Sequence, residues 1–112
     1  MQLREQIKVD LIQAMKERQS ATVATLRSVL AAIDNAEAVP VSTESTLPVE
    51  PVLGKRHEVP RKLLSADDIR QIVQKERDER QATSLKYTEL GRKAEAERLQ
   101  TAAALIAAYL RT

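Results

Sequence analysis

All four prolines of this 112-residue chain, Pro40, Pro48, Pro51 and Pro60, fall in one window, and the only glycines are Gly54 and Gly91. Proline removes a backbone donor and disfavours helix at the residue before it. The stretches on either side of the window therefore carry almost no helix breakers and are free to run as long helices. The side chains available to fill a core point the same way. There is no Phe and no Trp, and the only aromatic residues are Tyr87 and Tyr109. A core of Leu, Ile, Val and Ala suits helices that pack closely. The absence of cysteine excludes disulfides, thiolate metal sites and thiol nucleophiles. The length suits a single domain over residues 1–112, with little core to spare.

The net charge is +2, from 18 basic and 16 acidic residues. A dedicated nucleic-acid coat carries a larger basic excess. No apolar run reaches the roughly 20 residues that span a bilayer, so no membrane partner is expected. "MQLREQIKVD" places charges where a signal peptide is apolar, and a cytoplasmic location is expected.

Four amphipathic segments are predicted. Residues 2–18 carry Leu3, Ile7, Leu11 and Met15 at spacing four, widened by Ile12. Gln19-Ser20 breaks the pattern, with Ser20 as a candidate N-cap. The second stripe is Val23, Leu26, Leu30 and Ile33, and it ends where Glu37 takes the next place. A short link between two amphipathic faces predicts an antiparallel hairpin. Residues 38–64 read as a long Pro-rich loop, several times the usual connection length. Ser65 then fits an N-cap, and Asp67 and Asp68 suit the positive end of a helix dipole. The third helix is apolar at Ile69, Ile72 and Val73, polar from Gln74 to Ser84, and apolar again at Leu85 and Leu90. Gly91 fits the residue after its C-cap. The fourth runs from about Lys93 to Leu110, with Leu99, Ala102, Ala103, Ile106, Tyr109 and Leu110 on one face. The expected fold is all-α, a helical hairpin plus a second helix pair.

Few constellations suggest chemistry. Glu76 with Arg80, and Lys75 with Glu79, stand at i,i+4, a spacing that supports a solvated helix. Glu76, Arg80, Thr83 and Tyr87 also continue the stripe of Ile69 and Val73. On that reading the helix leaves the bundle and offers a polar face to a partner, and Arg80→Ala weakens binding more than folding. Arg27, set between Leu26 and Leu30, is either a snorkelling side chain or a phosphate contact. In the loop, "GKRHEVPRK" gathers Lys55, Arg56 and Arg61 as solvated or RNA-binding cations. No aromatic residue stands there to stack a base, and Gly54-Lys55 does not complete a phosphate loop. His57 is the only histidine. There is no His-Glu-x-x-His and no Glu-x-x-His pair, so no catalytic residue, metal or cofactor is assigned and no small-molecule substrate is evident.

Three segments together resemble the YqeY-like (GatB/YqeY-related) family, which is similar to the helical C-terminal region of the tRNA-dependent amidotransferase B subunit. "LREQIKVDLIQAMKERQSATVATLRSVLAAIDNAE" looks like the family's opening helix pair. "LSADDIRQIVQKERDERQATSLKYTELGR" looks like its charged third helix, and "AEAERLQTAAALIAAYL" like its fourth. On matching positions the recurrent residues are Arg27, Asn35, Glu37, Glu76, Arg80, Tyr87, Gly91, Arg92 and Tyr109. Two features depart from the family pattern: the long loop, and an end at "YLRT" where members continue through "YLP" into a tail domain implicated in tRNA contact. The resemblance implies a non-catalytic accessory module, with tRNA or an aminoacyl-tRNA amidation complex as partner. The carbon–nitrogen ligase label of the family belongs to other domains. The residues alone leave a second reading, a helical protein-interaction or homo-oligomerisation module with no RNA role.

Overall fold

A computed structural model describes residues 2–38 and 63–111. Among them are four α-helices and no strand: α1 (Leu3–Lys16), α2 (Ser20–Ala38), α3 (Ala66–Glu89) and α4 (Lys93–Tyr109). Helices α1 and α2 form one hairpin, α3 and α4 the other, and α2 packs against the second pair. The expected all-α, four-helix architecture is the observed one. The loop of residues 38–64, apart from its two ends, lies outside the described residues.

The core is aliphatic. Ile7, Leu26, Val29, Ile33, Val73 and Ile106 are almost wholly buried, and Leu3, Leu11, Leu30, Ile69, Ile72 and Leu105 pack around them. All four helices thus contribute to one cluster.

The predicted stripes hold for α2 and α4 and drift elsewhere. On α1, Met15 is 48% exposed and Ile12 55%, while Ala14 is buried. With 3.6 residues per turn, each step of four rotates the stripe about 40° further. A stripe through Ile7 has turned well away by Met15, whereas Ala14, seven residues on, stays within about 20° of Ile7. On α3, Leu85 is 66% exposed and Leu90 71%. The inward position there is Ser84, eleven residues after Val73 and so three helical turns along the same side. The Ser84 hydroxyl donates to the Ala96 carbonyl at 2.8 Å, which satisfies it inside the α3–α4 seam.

The helix ends carry local signals. Ser65 caps α3: its Oγ accepts from the Asp68 N–H, and the Asp68 carboxylate accepts from the Ser65 N–H, both at 3.0 Å. This is the capping box, two orphan donors satisfied reciprocally. Ser20 is not an N-cap. The Val23 N–H donates to the Gln19 carbonyl at 2.9 Å, so α2 begins one residue earlier than expected and Ser20 is its first helical residue.

Both interhelical turns close with the same motif. After α3, the Gly91 N–H donates to Thr88 and the Arg92 N–H to Tyr87, with Gly91 at φ 77°. After α1, the Arg18 N–H donates to Met15 and the Gln19 N–H to Ala14, with Arg18 at φ 56°. This paired pattern is the Schellman motif, whose left-handed residue favours glycine. The two turns differ in having Gly at one and Arg at the other. Gly91→Ala is expected to lower stability by about 1 kcal/mol, and Arg18→Gly to raise it by roughly 0.5 kcal/mol, since glycine's larger unfolded entropy offsets part of the relief. Chemical denaturation of the two variants should shift the midpoint in opposite directions.

Candidate functional site

The residues singled out in the sequence fall at three separate places in the fold. The first is the seam between α2 and α3. Arg80 donates to the Glu76 carboxylate at 3.1 Å and to the Ser28 hydroxyl of α2 at 2.9 Å. Both charged side chains are only 16% exposed. The expectation that this stripe leaves the bundle is therefore corrected: Arg80 turns inward and ties α3 to α2. Lys75 and Glu79 form the solvated pair at 3.9 Å, and Thr83 is exposed.

The second place is the last turn of α2. Arg4 reaches across from α1, donating through Nη1 to Glu37 Oε2 and through Nη2 to Asp34, each at 2.8 Å. A further bond from Nη2 to Glu37 Oε1 makes a two-pronged clamp. The bond to Glu37 raises the Arg4 pKa further above its ordinary value, against the opposing effect of burial. Glu37 is thus engaged within the chain, whereas Asn35 is exposed.

The third place is the end of the bundle that carries both turns. Ala21 and Thr22 of α2 and Ala94, Glu97 and Arg98 of α4 line one groove there, so the first turns of these two helices are neighbours. Arg27 is exposed beside Met15, its guanidinium 3.9 Å from the sulfur, and it borders a shallow hollow with Arg18 and Ser20. Arg92 is exposed, and Tyr87 is half-buried with its carbonyl accepting from the Arg92 N–H. Lys55, Arg56, Arg61 and His57 lie outside the described residues.

Sequence reasoning missed three residues that organise the opposite end. Arg4 is one. The others are Asp10 and Arg70, which meet the end of α4. The Tyr109 hydroxyl donates to Asp10 at 2.5 Å, and Arg70 donates to the Leu110 carbonyl. The partners stand 99 and 40 residues apart, so no local spacing announces them. Tyr109 itself was legible as a residue of the apolar face of α4, without its partner.

Burial first, and then the bond to Asp10 and its charge, push the Tyr109 phenol above its ordinary pKa. The unfolded chain ionises near pH 10. The native protein keeps the proton longer, so this contribution is fully present below about pH 10 and is lost as pH rises towards the native value. Melting temperature is expected to fall above about pH 10. Tyr109→Phe should flatten that fall and lower neutral-pH stability by about 1 kcal/mol. Thermal melts across the alkaline range test both effects.

The fold and its polar groups define an all-α four-helix domain with an arginine-bearing turn end and the Asp10, Arg70 and Tyr109 bonds at the other. Comparison with protein-family models, with curated proteins and with solved structures gives no match for this chain. Among the described residues no helix is long and apolar enough to cross a membrane.

Proposed function

We propose that this chain is a non-catalytic, YqeY-like accessory module of the cytoplasm that associates with tRNA, or with the complex that amidates aminoacyl-tRNA, through its turn end. The observation that carries the reading is that Arg18 and Arg27 border one exposed hollow at that end, beside a first turn of α2 that holds no acidic residue, while Arg92 is exposed in the other turn. Exposed arginines suit the phosphate contacts that supply most sequence-independent affinity for nucleic acid.

Electrophoretic retardation of total tRNA at about 50 mM salt tests the RNA half. Binding is expected to weaken steeply as salt rises. Arg18→Ala, Arg27→Ala and Arg92→Ala together should reduce the salt slope by about 0.7–0.9 for each phosphate left without its cation. Absence of any retardation by the intact protein at low salt overturns that half.

One observation favours a protein partner without RNA. The groove between α2 and α4, about 680 Å³, is lined by Ala21, Ala24, Ala94 and Ala102 with Leu105, a small-residue surface that a further helix could approach closely. Light scattering over a concentration series distinguishes self-association through it from a monomer.

A further inference from the structure

At the end of the bundle opposite the turns, α1, α3 and α4 border a half-open cavity of about 630 Å³. That volume lies within the range of small-molecule pockets. Leu3, Ile69 and Leu105 supply apolar lining, one from each helix, while Asp10, Arg70 and Tyr109 supply polar groups.

The charges on this wall are unlike and unneutralised. The Asp10 carboxylate accepts from two uncharged donors, the Tyr109 hydroxyl on one oxygen and the Gln6 amide, at 3.1 Å, on the other. Arg70 donates to a backbone carbonyl, that of Leu110. Among the described residues neither charge is paired with an opposite one. An anion and a cation thus border one half-apolar cavity, each fixed by neutral partners and not by the other. Groups held in this way keep capacity for a charged ligand and lose little freedom on binding one.

We propose that this cavity binds a small zwitterion with an aliphatic body, an amino acid or short peptide of the leucine type. Its ammonium group is held by Asp10, its carboxylate by Arg70, and its side chain lies against Leu3, Ile69 and Leu105. Asp67, one turn before Arg70 on α3, also borders the cavity. The site is independent of the turn-end arginines, so it stands or falls apart from the tRNA reading.

Calorimetric titration of the full chain with L-leucine and the dipeptide Leu-Leu tests the proposal and separates the two ligand sizes. Saturable binding of either is expected. Leucinamide, which lacks the carboxylate, and 4-methylpentanoate, which lacks the ammonium, should each bind about tenfold or more weakly, the usual worth of one charge-assisted hydrogen bond. Asp10→Asn should erase the preference for ligands with an ammonium group, and Arg70→Gln the preference for those with a carboxylate. The comparison among ligands on the unaltered protein does not depend on those variants folding. No saturable binding of either zwitterion at millimolar concentration overturns the proposal, as does equal affinity for the zwitterion and both half-ligands.

Discussion

Ile33→Ala is expected to lower the folding free energy by about 2–5 kcal/mol, the range measured for deleting a large aliphatic side chain from a core. Ile33 has no exposed surface, and its cluster includes Ile7 of α1, Val73 of α3 and Ile106 of α4. A cavity walled by four helices closes poorly, because a shift that fills it from one side opens a gap on another. The loss is large beside the roughly 5–15 kcal/mol that holds a typical domain together. Urea denaturation should show a lower midpoint with an unchanged slope. Ile12→Ala is the control: that residue is 55% exposed, and its loss should stay within about 0.5 kcal/mol. Equal effects at the two positions would contradict the core described above.

Arg80→Ala is expected to lower stability by about 2 kcal/mol. Exposed ion pairs contribute roughly 0–1 kcal/mol, and breaking a buried pair costs about 3–5 kcal/mol. With both side chains 16% exposed, Glu76 and Arg80 lie between these limits. Removal of the guanidinium leaves Glu76 largely covered without its cation and takes away the link to Ser28 on α2. Arg80→Lys should recover part of the loss, since one ammonium group cannot reproduce the planar fork that serves both acceptors. A double-mutant cycle with Glu76→Gln isolates the pair itself. An Arg80→Ala protein that melts like the parent, yet loses a binding partner, would restore the outward-facing reading of this helix.

Much of the architecture was legible because it rests on local rules. The clustering of prolines marked where helices stop, Ser65 and Gly91 marked the ends of α3, and the stripe of α2 marked a buried face. Ser20 misled because a good capping residue stood one place too late, and no side-chain bond holds it there. Met15 misled because spacing four was extended over three steps without its rotation. The polar seam was harder. A run such as Glu76 to Arg80 looks alike in sequence whether it faces solvent or a neighbouring helix, and only the placement of Ser28 decides. Arg4 with Glu37, and Asp10 with Tyr109, join residues far apart in the chain. The first pair follows from how α1 and α2 align within one hairpin and the second from how the two hairpins cross, and no periodicity within one helix encodes either.

The capping box at Ser65 and the Arg4 clamp on the last turn of α2 have a joint consequence for the stretch between them. Each boundary is anchored by groups outside residues 39–62: α2 is pinned by Arg4 of α1, and α3 starts from its own hydroxyl and carboxylate. These particular bonds lie wholly within the described residues at the two helix ends. Doubling the intervening segment adds only about 0.6 kcal/mol of closure entropy. A change in the length of that window is thus expected to cost less than the loss of Arg4 or Ser65, whose bonds hold the helix ends themselves.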